Sequence, residues 1–328
     1  MNVLICIALS FFIFIYGYSV LSLFSFFSKD NTSRFLFSFG TGIGLISLQM
    51  YYYTRFGISW DPLLIAAPTF FVLLLSLLKL KIKLPSKKVD FVKVSTFILV
   101  SSPIWALCLY VILESILRPL SAWDGYASWL FRAKMFFVDG SITQQIASYI
   151  PTDYPPLVSL LSTFFYTFIG NVDDRAVLIV YSMFYVSLGL AFYHAVRKKA
   201  GVIPSLFFTF LLLSTQNLVR HSGRFEAGQA DVILGYYLFF SFLLLLRFFK
   251  AMEVKTFFLL QFFLLVSALI KNDGIPLILL LELLLLLTIV RRKLGTFFIG
   301  FLIFVVPFLE WQVFKKNLRV VVAPEYLG

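Results

Sequence analysis

Residues 275–290 read IPLILLLELLLLLTIV, broken only by Pro276 near the start, Glu282 in the middle and Thr288 near the end. A strand of a membrane barrel would alternate apolar and polar side chains over about ten residues. A run approaching twenty apolar residues with no such alternation has the length and character of a helix across a bilayer. The backbone must satisfy its own hydrogen bonds in hydrocarbon, which leaves helices or closed barrels, and the absence of alternation selects helices.

Working outward, comparable runs cover roughly 3–26, 35–53, 62–80, 94–117, 155–170, 176–196, 202–216, 230–248, 256–270 and 295–314. The expected fold is therefore an all-α polytopic membrane protein with about 10–11 transmembrane helices. Composition agrees: of 328 residues 60% are hydrophobic, 19% aromatic and 13% charged, which excludes an ordinary soluble domain. The net charge of +12 comes from Lys and Arg in short loops, the pattern of orientation signals rather than of a nucleic-acid surface. Cys6 and Cys108 lie inside apolar runs and imply neither a disulfide framework nor a CxxC metal site. No basic leader or small-residue cleavage site precedes Val3–Phe26, which reads as a retained first span.

The basic clusters orient the spans. Lys79, Lys81, Lys83, Lys87, Lys88 and Lys93 place their loop in the cytoplasm, as do Arg197–Lys199, Arg247 with Lys250 and Lys255, and Arg291–Lys293. The loops 118–154, 217–229 and 271–274 then share the opposite face. Two full crossings between Asp153 and Arg197 would put the Arg197 cluster outside, against the charge bias, which is a bias rather than a law. The run 155–170, short and opening on Pro155 and Pro156, is the candidate for a partial or tilted span, and its full crossing is left open. Residues 1–93 are expected to form a group of N-terminal spans, and 94–328 a module carrying the external loop.

Four polar stretches on that face carry candidate chemistry. WDGYASWLFRAK, residues 123–134, reads as an amphipathic juxtamembrane helix with Asp124, Ser128 and Arg132 on one stripe and Trp123, Ala127, Leu130 and the stem of Lys134 on another. PTDYPPL, residues 151–157, holds Asp153 and Tyr154 in a proline-stiffened link. NLVRHSGRFEAGQAD, residues 217–231, gathers Arg220, His221, Arg224, Glu226 and Asp231, with Asp231 opening a span, where an ionisable group is costly. Lys271, Asn272, Asp273 and Gly274 interrupt an apolar stretch, leaving Lys271 as a cation at a helix end. Glu114 and Glu282 lie within spans, and Asp173, Asp174 and Arg175 read as a solvated turn.

The order WDGYASWLFRAK, PTDYPPL, GQAD and KNDG resembles that of polytopic bacterial glycosyltransferases of the GT-C superfamily, the group related to protein mannosyltransferases and the lipid A aminoarabinose transferase. The resemblance covers roughly residues 120–275. It implies transfer of a sugar from a polyprenyl-phosphate lipid, on the outer face of a bacterial inner membrane, to an envelope glycan, lipid or protein acceptor. It assigns the catalytic or metal-binding acid of the external loop to Asp124, with a divalent cation such as Mg or Mn as the one cofactor to consider. The family's Asp-Glu pair is absent here, since Gly125 follows Asp124.

The residue chemistry fits such a transfer. An acceptor hydroxyl needs a base and a departing phosphate needs cations. Asp124 is the expected base or metal ligand, and Arg132, Lys134, Arg224 and Lys271 the expected phosphate contacts. Asp153, Tyr154, Glu226, Asp231 and Asn272 are expected to bind the sugar or complete a metal site. A transporter or flippase of a lipid-linked or small polar substrate is the alternative, with broken helices at Pro155 or Gly274 as its binding site.

Overall fold

The computed structural model describes residues 1–28, 30–79, 91–142, 154–292 and 295–317, and these are helices joined by turns, with no strand among them. The helices are α1 (Asn2–Leu23), α2 (Asn31–Arg55), α3 (Pro62–Lys79), α4 (Phe91–Leu117), α5 (Leu130–Asp139), α6 (Leu157–Ile169), α7 (Asp174–Val177) and α8 (Ile179–Ala200). They continue with α9 (Val202–Leu213), α10 (Gln216–Gly223), α11 (Asp231–Ala251), α12 (Val254–Ala268), α13 (Ile275–Arg291) and α14 (Phe298–Asn317).

Among the described residues six helices are long and apolar enough to cross a membrane, or seven if α9 and α10, bent by 66° at their junction, form one span. This is fewer than the sequence pattern suggested. The shortfall has separate causes. Helices α3, α6 and α12 are apolar but short. Helix α2, at 25 residues, is long enough but rich in glycine, serine, threonine and tyrosine.

The position of α2 explains that composition. A Cβ on Gly17 of α1 would lie 1.9 Å from the Ser38 carbonyl oxygen, and one on Gly42 would lie 2.0 Å from that of Ile13. The α1 and α2 backbones therefore touch, as small residues allow between membrane helices. On its other sides Gly40 meets the Tyr236 ring of α11 and Gly44 meets Phe262 and Val266 of α12, while the Tyr237 hydroxyl donates to the Gly40 carbonyl at 2.6 Å. A helix packed against neighbours on several sides along its middle has little lipid face to make apolar.

The bundle has two ends. At one, Asp30 caps α2, accepting from the Ser33 amide at 2.9 Å and the Ser33 hydroxyl at 2.6 Å, and faces Lys198 at 3.4 Å and Arg247 at 3.8 Å. Burial alone would raise the Asp30 carboxyl, but the Ser33 hydrogen bonds and Lys198 outweigh it and hold the group at about 2. Lys255 donates to the Phe24 carbonyl at this end. At the other end Arg55 pairs with Glu310 at 2.9 Å, and Lys271 closes the α12–α13 turn.

Helix α6 has both ends at this second end. Its first amide, that of Leu157, donates to the Leu269 carbonyl beyond α12, and Tyr166 near its finish donates to Asp174 at 2.5 Å. Asp173 in turn accepts from Asn2 at the start of α1 at 2.7 Å. Both termini of α6 therefore lie at the same end of the bundle, in keeping with a run that is only a partial or tilted span. Ser159 and Thr163 donate to the carbonyls of Trp129 and Ala133, so α5 and α6 lie side by side in the same direction. The three residues expected to form a solvated turn do otherwise: Asp173 caps α7, Asp174 pairs with Lys134 at 2.6 Å, and Arg175 donates to the Ile116 and Leu117 carbonyls that end α4.

Candidate functional site

The segment 123–134 is not one regular amphipathic helix. Residues Gly125–Trp129 form a π-helical turn in which the Leu130 amide donates to the Gly125 carbonyl, five residues back. The extra residue rotates everything after it relative to Asp124. The expected stripe is therefore broken: Asp124 is exposed, whereas Arg132 is 3% exposed. The Arg132 guanidinium donates to the carbonyls of Tyr154 at 3.0 Å and Pro155 at 3.5 Å, between the rings of Trp129 and Phe136. Burial lowers it to about 10, still charged at neutral pH. Arg132 is thus a clamp on the approach to α6 rather than a solvent-facing cation.

Asp124 is exposed and neighbours in sequence two exposed aromatic side chains, Trp123 and Tyr126, whose rings meet edge to face at 5.1 Å. Gly125 explains why no second acid follows it. A Cβ there would come within 3.1 Å of Leu120 and 3.3 Å of the Ala227 carbonyl, because the 224–230 loop seats directly on this turn. Gly228, at φ 98°, turns that loop in a conformation open to glycine. Ser121 donates to the Phe225 carbonyl at 3.3 Å and ties the two segments together.

That contact ties the turn carrying Asp124 to the loop that holds a cationic group. The guanidinium carbons of Arg118 and Arg224 lie 4.8 and 4.9 Å from the centre of the Phe225 ring. Both reach Glu114 near the end of α4, Arg118 by a short ion pair and Arg224 at 3.6 Å. Arg220 pairs with Glu226, which also faces His221 at 3.1 Å. Three guanidinium groups thus face two carboxylates, leaving the cluster net positive. Arg224 and Glu226 were expected here; Glu114, Arg118, Arg220 and Phe225 complete the arrangement. The available signal was Glu114 with Arg118 at i and i+4, a favourable helix pair at a span end.

The remaining expected residues lie nearby or elsewhere. Lys271 bridges Asp231 at 3.0 Å and Asp273 at 2.9 Å. Burial lowers its pKa, but hydrogen bonds and charge from both acids more than offset this, so the ammonium stays above its usual 10.5. Asn272 opens the 3-10 turn Asn272–Gly274 that follows. Lys134 is occupied by Asp174, on the side of α5 toward α7. The Tyr154 ring packs on Trp129 at 5.1 Å, and Asp153 lies outside the described residues.

Among the described residues no group of three or more His, Cys, Asp or Glu side chains could hold a metal ion. A lone carboxylate binds Mg only with oxygens from a substrate phosphate and water. No protein-family model matches the chain, and neither a curated protein nor a solved structure matches it.

Proposed function

We propose that the chain is a membrane glycosyltransferase that moves a sugar from a polyprenyl-phosphate donor to an envelope glycan, lipid or protein acceptor. The observation that carries this reading is the exposed Asp124 next to the exposed Trp123 and Tyr126, on a turn tied through Ser121 to the loop of the arginine-flanked Phe225 at one end of an apolar bundle. The order of the four polar motifs supplies the reaction class. In this reading α2, α3 and α12 cross the membrane with the longer helices, and α5 and α6 lie at its outer surface. The positive-inside bias of the basic loops supports an outward orientation of that surface, across a bacterial inner membrane.

The Asp124 carboxylate takes the proton of the acceptor hydroxyl as its oxygen attacks the anomeric carbon. The bond from that carbon to the phosphate oxygen breaks, and the electron pair leaves with the lipid phosphate. The leaving group needs no proton, so one acid suffices and the configuration inverts, unlike the two-carboxylate scheme of hydrolases. Arg118 and Arg224 neutralise the departing phosphate by charge-assisted hydrogen bonds. Exposed Trp123 and Tyr126 offer apolar faces to the sugar ring, and the apolar sides of the spans accept the polyprenyl chain.

Purified protein in lipid vesicles, given a labelled polyprenyl-phosphate sugar and a mixture of envelope acceptors, tests the proposal. Label passing to an acceptor supports it. Release of label across the vesicle wall without transfer refutes it in favour of a flippase.

A further inference from the structure

Glu282 sits in the middle of α13, 8% exposed, and its carboxylate Oε2 accepts from the amide Nε2 of Gln261 on α12 at 2.9 Å. Gln261 is fully buried. Two atoms of this pair are buried without a partner, Glu282 Oε1 and Gln261 Oε1. Both are acceptors. None of the ion pairs among the described residues includes Glu282.

An ionised carboxylate in this setting is very unfavourable. Removing it from water costs more than one amide hydrogen bond returns, and a further unsatisfied acceptor adds to the deficit. A divalent cation between the two oxygens does not solve the problem, since hard cations take six or more oxygen ligands and two are offered. One hydrogen does solve it. An acid hydrogen on Glu282 Oε1 donates to Gln261 Oε1 while the amide continues to donate to Oε2, and both orphaned oxygens are satisfied at once.

We infer that Glu282 and Gln261 form a proton-binding site within the apolar layer, in which Glu282 is a neutral acid joined to the carboxamide by two hydrogen bonds that link α12 to α13. The site stands apart from the arginine cluster and does not depend on the transferase reading. It also has a chemical signature. Leu279, Leu283 and Leu286 flank Glu282 on α13 and are exposed, so a lipophilic carbodiimide reaches the acid from the lipid. The acid proton passes to a carbodiimide nitrogen and the carboxyl oxygen adds to the central carbon. Acyl migration from oxygen to nitrogen then leaves a stable N-acylurea, with no leaving group.

The experiment treats the protein in lipid nanodiscs with dicyclohexylcarbodiimide at neutral pH and maps the adduct by mass spectrometry. An infrared difference spectrum of wild type minus Glu282→Gln accompanies it. Expected are an adduct on Glu282, its loss in Glu282→Gln, and the carbonyl stretch of a protonated carboxyl in the difference spectrum. Glu282→Gln preserves two hydrogen bonds as an amide pair and is expected to melt with wild type, whereas Glu282→Leu, which strands Gln261, melts lower. Carboxylate bands in place of the acid stretch overturn the inference. So does suppression of the adduct by sodium or calcium ions, which would make this a cation site and favour the transporter alternative.

Discussion

Replacing Gly42 by alanine tests the packing on which the bundle depends. The added Cβ would lie 2.0 Å from the Ile13 carbonyl oxygen and 2.9 Å from both its carbonyl carbon and its Cγ2. Ordinary contact begins near 3.5 Å, so α1 would have to retreat by about 1.5 Å. A helix carbonyl cannot rotate aside as a flexible side chain can, and α2 cannot shift instead, because Gly40 and Gly44 on its other sides already meet Tyr236, Phe262 and Val266. Overpacking of this kind costs roughly 1–3 kcal/mol and occasionally more, and a backbone obstacle puts this case at the upper end. For a chain of this size that lowers the melting temperature by roughly 5–10 °C, by the scaling of soluble domains. The assay is tryptophan-fluorescence melting in detergent, with Gly235→Ala as control, since a Cβ there meets nothing within 4 Å. Gly17→Ala, which strikes the Ser38 carbonyl in the same crossing, is expected to add little once Gly42→Ala has parted the helices. A Gly42→Ala protein that melts with the Gly235→Ala control would refute the close crossing.

Three further outcomes follow from the geometry. Asp30→Ala removes the α2 cap and the contacts to Lys198 and Arg247, and is expected to cost about 1–2 kcal/mol at neutral pH. Because the folded carboxyl titrates at about 2, below its ordinary 3.8, this contribution is present above the ordinary value and is lost as pH falls through about 2. The difference between wild type and Asp30→Ala in an acid-unfolding titration should shrink over that window. Arg132→Leu leaves the Tyr154 and Pro155 carbonyls without their donor, at about 1–3 kcal/mol each, and should expose the 118–157 region to limited proteolysis while the core spans stay protected. Arg118→Ala and Arg224→Ala each remove a proposed phosphate contact and should lower kcat/KM for the lipid donor by roughly 10–150-fold, the equivalent of a charge-assisted hydrogen bond, without lowering the melting temperature comparably.

Run length and the lack of period-two alternation sufficed for the helical class, whereas the charge bias and the short Pro155–Pro156 segment only raised the question of 155–170, whose two ends the hydrogen bonds of Leu157 and Tyr166 place together. The place of α2 was not legible the same way, because its glycines mean little until the helices they touch are known. Periodicity put Arg132 on one stripe with Asp124, but the π turn at Gly125–Trp129 adds a residue that no local pattern announces. The arginine cluster was half visible: Arg224 and Glu226 belong to one loop, whereas Arg118 joins them only because α4 ends beside α10. That approach is close, since a Cβ on Gly223 would lie 2.3 Å from the Val111 carbonyl oxygen. Glu282 stood out in its span, but nothing in the sequence named its partner, the Gln261 amide.

The central claim is that Asp124 acts as the base of a lipid-dependent sugar transfer. The most direct measurement compares wild type and Asp124→Asn, matched in amount and melting temperature, for transfer of labelled sugar from a polyprenyl-phosphate donor in vesicles. Asp124 is exposed, so the amide should leave the fold intact while transfer falls by at least about 100-fold, the contribution of a positioned general base. Transfer by Asp124→Asn at the wild-type rate would contradict the account.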